Sequence, residues 1–362
     1  MSVSSVVFVA HTAQVSGAEK VLSDLVDEAL TRGYAVTVAC PNGPLSQVLP
    51  AGCTHMPIPS LGLGGERGPA RGVAAVKLAA RWWWTGRALR RVVGRASTVT
   101  VVNSLFALPA MRLAAPPRGV SWLVHDTVVS AKQRVVIRLA RPVVRRAVAV
   151  SEATAAPLRA AGIPVSVAHN GVRRPVARLG GKLHDPPVVG MLALLTPWKG
   201  HRVLLDAAAR LPGVQVELAG GSFPSDADYV AELEARAASP ELAGRVRFLG
   251  HVDAPAALGR WDVMVSASVL PEAGPLSVLE SMAHGVPVIG TNHGGTVEFL
   301  AGGAGLLVPP DDAEALAGAI RTVLDDDALR GRMVETARCR IDAGHDISRT
   351  LPILLDTVLG LR

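Results

Sequence analysis

Residues 263–291 read VMVSASVLPEAGPLSVLESMAHGVPVIGT. The stretch opens on an apolar β-branched run, Val263–Ser266, and crosses a turn bearing Pro and Gly. An apolar pattern at helical spacing follows over Leu276–His284, then a second apolar run at Pro287–Gly290. Strand, turn, helix and strand in that order form the repeating unit of a parallel sheet. Gly274 is expected as the helix N-cap and Pro275 as its first residue, where a missing N–H costs nothing. The amides of Leu276 and Ser277 then point out of a positive helix end, which makes an anion site. Glu272 stands just before that end, and Glu280 lies about 7 Å inside the helix at roughly 1.5 Å per residue. Two carboxylates bracketing an anion site suit a ligand with phosphate at its centre and hydroxyls on both sides, the layout of a sugar nucleotide. For an isolated helix, an N-cap region with a solvated Glu is the plainer reading.

The same alternation runs outward in both directions. Strand-like runs stand at Val6–Ala10, Ala35–Ala39, Val99–Val102, Ser121–Val124, Val148–Val150 and Val165–Ala168. A second series stands at Val188–Leu195, Val214–Leu218, Val246–Leu249, Val263–Ser266, Pro287–Gly290 and Leu306–Val308. Helical patterns lie between most of them, among them Ala18–Arg32, Lys132–Arg145 and Ala313–Leu324. Near-continuous apolar strands alternating with helices imply parallel sheets covered on both faces. The expected fold is therefore α/β, with two doubly wound Rossmann-like domains facing across a cleft. Expected bounds are 1–174 for the first domain, 175–187 for a linker within the Pro-, Gly- and charge-rich RRPVARLGGKLHDPP, and 188–346 for the second. A last helix, 347–362, is expected to pack back on the first domain.

Composition narrows the function. Half of the 362 residues are apolar (49%), enough for sizeable cores. No run of 18 apolar residues exists, and the N-terminus lacks the basic segment and cleavage site of a signal peptide. Cys40, Cys53 and Cys339 are too few and too scattered for a disulfide framework or a zinc knuckle. A cytoplasmic protein is expected. Residues 1–180 carry 3 Lys and 19 Arg against 7 acids, whereas residues 181–362 carry 2 Lys and 13 Arg against 23. Such a split suggests two halves with different partners. No G-x-G-x-x-G is complete, since position 67 is Arg, and no G-x-x-x-x-G-K-[ST] occurs, so a nicotinamide dehydrogenase or P-loop enzyme is not indicated.

The frame PEAGPLSVLESMAHGVPVIGTNHGGTVEFL, with its E-x7-E spacing of Glu272 and Glu280, resembles the signature of the family 4 retaining glycosyltransferases of GT-B fold. SGAEKVLSDLVDEALTRGYAVTV from Ser16 resembles that family's first glycine loop and helix. VSEATAAPLRAAGIPVSVAHNGV from Val150 resembles the end of its first lobe. LLTPWKGHRVLLDAAARL from Leu194 and RVRFLGHV from Arg245 resemble its donor lobe. The resemblance implies transfer of a sugar from a nucleotide-sugar donor with retention of configuration, by front-face attack and without a metal cofactor. It implies Glu280 on the nucleotide ribose, Glu272 and the amides of Gly274, Leu276 and Ser277 on the transferred sugar, and Lys199 on the diphosphate. Gly17 would let backbone approach the ligand, His125 would face the reacting sugar, and Glu298 would lie near the donor. The family usually carries Arg where this chain has Leu194, and Lys20 or Arg202 are the neighbouring bases that could compensate. Three acceptor classes stay open: a lipid, a polysaccharide and a small natural product. So do two other functions, a GT-B sugar-nucleotide epimerase or hydrolase and a non-catalytic sugar-nucleotide-binding subunit.

Two further stretches carry weaker signals. Asp226-x-Asp228 reads as a helix cap, not a metal site. Residues 71–95 (RGVAAVKLAARWWWTGRALRRVVGR) place Val76, Ala80, Trp83, Gly86, Leu89 and Val93 on an approximate helical stripe. Three consecutive Trp span roughly 200° of a helix, so one of Trp82 and Trp84 must sit at the flank among arginines. A core helix with an amphipathic rim explains this; so does peripheral contact with an anionic membrane, at its inner face. No basic-aromatic motif points to nucleic acid.

Overall fold

The computed structural model describes residues 3–62, 70–175 and 183–361. It divides into two compact units, Met1–Asn170 with Arg349–Arg362, and Gly171–Ser348. The described part of the expected linker groups with the second unit, and residues 176–182 lie outside the described residues.

In the first unit the elements are β1 (Ser5–Val9), α1 (Gly17–Thr31), β2 (Ala35–Cys40), α2 (Pro44–Gln47), β3 (Thr54–Pro57), α3 (Ala70–Val93), β4 (Thr98–Val102), α4 (Leu108–Ala114), β5 (Val120–Val124), α5 (Ala131–Ala140), β6 (Val144–Ala149), α6 (Glu152–Ala160) and β7 (Val165–Val167). The second unit continues with β8 (Val188–Leu192), α7 (His201–Ala208), β9 (Gln215–Ala219), α8 (Ala227–Ala237), β10 (Val246–Gly250), α9 (Ala254–Leu258), β11 (Val263–Ser266), α10 (Leu276–His284), β12 (Val288–Thr291), α11 (Gly294–Leu300), β13 (Leu306–Val308), α12 (Ala313–Asp325) and α13 (Asp327–Gly344). The last helix, α14 (Ile347–Leu359), is tied to the first unit by Arg32 Nη1 to Asp356 Oδ1 at 2.6 Å.

Both sheets are parallel and doubly wound, with order β3-β2-β1-β4-β5-β6-β7 in the first and β10-β9-β8-β11-β12-β13 in the second. Their central strands, such as β4 and β11, are buried at every residue. That burial is why they read as unbroken apolar runs and not as alternating ones. Strand order reverses between β1 and β4, and again between β8 and β11. Open parallel sheets take ligands at the carboxyl ends of the strands flanking such a reversal. The loops after these four strands therefore decide what each unit can hold.

Local differences from the sequence reading have local causes. The helix expected over Lys132–Arg145 stops at Ala140, because Pro142 sits in a tight turn at Arg141–Val143 and the chain enters β6 at Val144. Gly17 is the first residue of α1, not a loop residue. Pro275 is itself the N-cap of α10, one position later than expected, with ψ of 115° and a carbonyl that accepts from Val278 N–H at 3.2 Å. On α3 the core stripe is Leu78, Trp82, Thr85, Leu89 and Val93. Trp82 is part-buried and its Nε1–H donates to Phe106 O at 2.8 Å. Val76 (70% exposed), Trp83 (49%) and Trp84 (63%) lie on the opposite, outer side. The expected stripe therefore holds in its second half, where Gly86, Leu89 and Val93 are buried, and fails in its first, where Val76, Ala80 and Trp83 face outward because the indole N–H of Trp82 finds a carbonyl acceptor and turns its own face inward.

Candidate active site

In the second unit the loops after β8 and β11 are held together by backbone contact. Val269 N–H donates to Trp198 O at 2.9 Å. Gly200 (φ +79°) lies so close that a Cβ there would stand 2.0 Å from Ala267 O. Only Gly accepts both that φ and that approach. This junction brings Lys199 and Glu272 face to face, with Nζ 2.5 Å from Oε2 and side chains only 15% and 9% exposed. The other carboxylate oxygen accepts from Ser268 Oγ, whose own carbonyl accepts from Thr291 Oγ1 at 2.9 Å. Lys199 Nζ also stands 4.2 Å over the Trp198 ring. Behind Glu272, its carbonyl accepts from Gly295 N–H at 2.8 Å, and Gly294 packs where a Cβ would be 2.3 Å from the same oxygen.

The N-terminus of α10 opens four residues after Glu272. Its first amides, Leu276 and Ser277, donate to no backbone carbonyl among the described residues, as expected of the first turn. Glu280 is half-buried on α10, and Glu298 is half-buried on α11. Of the expected donor residues, Lys199, Glu272, Gly274, Leu276 and Ser277 lie at one reversal point of one sheet, Glu280 follows one turn along α10, Glu298 stands on α11, and Gly17 belongs to the other unit. Leu194, half-buried in the loop after β8, supplies no cation. Arg202 is committed elsewhere, to Glu232 at 3.1 Å and Asp206 at 3.8 Å.

The first unit builds a polar group at its own reversal point. Asn103 follows β4, His125 follows β5, and His125 Nε2 lies 3.1 Å from Asn103 Oδ1. Burial pushes the His125 ring down to a pKa of about 4. Crowding by protein atoms raises the Asp126 carboxyl although its side chain keeps contact with solvent. Glu19, buried in the first turn of α1, accepts from Ser16 N–H at 3.1 Å and from Ser16 Oγ at 2.5 Å. Burial raises its carboxyl above the ordinary range in spite of those bonds. Sequence reading missed Ser268, Thr291 and Asn103, which follow no motif and reach the site only because their strands end there.

The Glycosyltransferase Family 4 model matches residues 15–174, and the model for Glycosyl transferases group 1 matches residues 177–340. The chain belongs to the GT-B glycosyltransferases. Among solved structures, this glycosyltransferase is similar to HepE of Anabaena in complex with UDP and glucose, with a TM-score of 0.83 and 22% identity over 98% of this chain and 99% of that one. It is 37% identical over 170 residues to the lipopolysaccharide core biosynthesis glycosyltransferase LpsE of Rhizobium meliloti, covering 46% of this chain and 48% of that protein. It is 36% identical over 153 residues to the phosphatidyl-myo-inositol mannosyltransferase of Mycolicibacterium smegmatis, covering 40% of this chain and 38% of that protein. These matches span about half or less of the curated relatives.

Proposed function

We propose that this glycosyltransferase moves a sugar from a nucleotide-sugar donor to an acceptor with retention of anomeric configuration and without a metal cofactor. The observation that carries the reading is the junction of Lys199, Glu272 and the α10 N-terminus at one strand reversal. A departing diphosphate gains charge, and the Lys199 ammonium and the helix amides are the groups placed to stabilise it. Glu280 holds the ribose, Glu272 the transferred sugar, Glu298 stands nearby, and Gly17 admits the ligand at the start of α1. His125 acts in the same reaction by orienting a sugar hydroxyl. A thermal-shift panel of UDP-, GDP-, ADP- and TDP-sugars identifies the donor, since a ligand of the native state raises stability with the logarithm of its concentration once that exceeds the dissociation constant. UDP-glucose comes first because HepE has been solved with it. Product analysis with that donor must then show transfer and a retained anomer. Donor hydrolysis that ignores the acceptor, or full transfer by Glu272→Ala, refutes the reading.

The acceptor side is proposed to meet an anionic membrane. Over residues 70–151 the chain carries fifteen Lys and Arg against one acid, Asp126. The outer side of α3 presents Val73, Val76, Trp83 and Trp84, and α5 presents Val135 and Leu139. Between them, α4 is bridged to both, by Arg90 Nη2 to Leu113 O at 3.2 Å and Arg112 Nη1 to Leu139 O at 2.6 Å. Exposed Trp among bases of one sign fits a bilayer interface, where each base near the surface is worth about 1 kcal/mol. Among the described residues no helix is long and apolar enough to cross a membrane. Sedimentation with phosphatidylglycerol vesicles should show binding that salt weakens and that Trp83→Ala/Trp84→Ala abolishes. Equal binding to neutral phosphatidylcholine vesicles, or none to either, refutes it.

A further inference from the structure

Asn103 is a buried amide, 3% exposed, at the carboxyl end of β4. Its N–H donates to Val9 O at 2.9 Å, which fixes its backbone beside the end of β1. The two ends of its side chain differ in kind: Nδ2 only donates and Oδ1 only accepts. Ala18 O, in the first turn of α1, only accepts, and it lies 3.2 Å from Nδ2. Helix α1 therefore sets which way the amide points. Oδ1 is left facing Nε2 of His125 at 3.1 Å, and a hydrogen bond between those atoms requires the proton to sit on Nε2. No protein hydrogen bond to His125 Nδ1 is found among the described residues.

We propose that Asn103 is a positioning residue that locks His125 as the Nε2–H tautomer, so that the ring offers Nδ1 to a substrate as an acceptor only. Burial, which keeps the ring neutral, works in the same direction. A ring held this way cannot protonate a leaving group or lend positive charge to a departing diphosphate. It can accept from one sugar hydroxyl and fix its orientation, which is the narrower of the two roles a histidine could play here. The catalytic consequence rests on the proposed function; the lock itself does not.

Long-range proton–nitrogen correlation spectra of the full chain, labelled at histidine and recorded at pH 7.5, read the tautomer directly. The signal absent from His125→Gln assigns the ring. The expected spectrum has Nε2 protonated and Nδ1 bare. A proton on Nδ1, or an imidazolium, overturns the lock whatever the enzyme does. Asn103→Leu should relax the ring into a tautomer mixture and lower kcat about tenfold while the donor KM stays within about twofold, since the orientation of one sugar hydroxyl is lost while the contacts to the nucleotide and diphosphate are untouched. Asn103→Asp should pull His125 toward the imidazolium and lower kcat too, and it serves where Asn103→Leu does not fold. An Asn103→Leu enzyme with unchanged tautomer and unchanged kcat overturns the role of Asn103. A locked ring in a protein that transfers no sugar leaves this inference standing and removes the functional reading instead.

Discussion

Lys199→Met strips the cation from a carboxylate that is 9% exposed and keeps only the Ser268 hydroxyl on its other oxygen. Removing one partner of a buried pair costs roughly 3–5 kcal/mol, because the remaining charge stays desolvated. Lys199 is itself 15% exposed, which places this pair near the lower end, at about 3 kcal/mol. For a domain of this size about 1 kcal/mol moves Tm by roughly 2–4 °C, so Lys199→Met should melt about 6–12 °C lower. The double variant Lys199→Met/Glu272→Gln removes both charges and should recover to within about 1 kcal/mol of the parent. Thermal melts of the parent, the two single variants and the double variant complete the cycle. Transfer assays add a second axis, since both Lys199 variants should lose at least about a hundredfold in kcat while only one is unstable. A coupling energy under about 0.5 kcal/mol would show that the two side chains do not form a desolvated pair, and the derivation of the site from their contact would fall.

His201 is fully buried, and burial, with Lys199 nearby adding to it, pushes its ring down to about 4 from 6.5. A depressed folded pKa means stability that is whole above pH 6.5 and is lost as pH falls from there toward 4, up to about 3 kcal/mol. His11 and His125 are depressed to about 4 as well, so His201→Gln should remove one share of the fall in a Tm-against-pH curve over that window, and an unchanged curve would exclude the residue as a source. Gly200→Ala meets both a φ of +79° and the Ala267 carbonyl, so it should cost more than about 2 kcal/mol in a denaturant titration and lower kcat by displacing Lys199. Trp82→Ala should cost about 3 kcal/mol, whereas Trp83→Ala and Trp84→Ala should stay within about 0.5 kcal/mol; equal costs at all three would contradict the inward orientation of α3.

Much of the architecture is legible in the sequence, because strands buried on both faces are β-branched and apolar at nearly every position, with only a small hydroxyl such as Thr100 or Ser266 among them. Val99–Val102 and Val263–Ser266 are of this kind. The edge strand β3 (THMP) was hidden for the opposite reason: it is short, half-exposed and ends on Pro57. Helix α13 (DALRGRMVETARCRIDAG) buries only Met333, Ala337 and Ile341, too few to mark a face. Of the site, the Glu272–Glu280 spacing and Lys199 were legible as motif. Their contact was not, because it depends on Gly200 meeting Ala267 and on Trp198 accepting from Val269. Pairings across a sheet leave no trace in local sequence.

The acidic balance of residues 181–362 sharpens the question of how that half would hold a dianion. Lys199 is already neutralised by Glu272, Leu194 offers no charge, and Arg202 is taken by Glu232 and Asp206. Of the groups the described residues place at this junction, the α10 N-terminus is the one left unneutralised, worth roughly half a unit charge. A nucleoside diphosphate must therefore compete with Glu272 for the Lys199 ammonium. Glu272→Gln keeps the shape of the side chain and removes the competitor. It should bind UDP more tightly, by at least about tenfold, since one charge contact at about 4 Å is worth about 1 kcal/mol in bulk water and more where water is partly excluded, while its transfer rate falls. Affinity and rate then move in opposite directions, which simple damage to the site would not produce. Calorimetric titration with UDP measures the first and product formation the second. Weaker UDP binding by Glu272→Gln would mean that Glu272 helps hold the diphosphate through Lys199, and that the ion pair of the free protein survives in the complex.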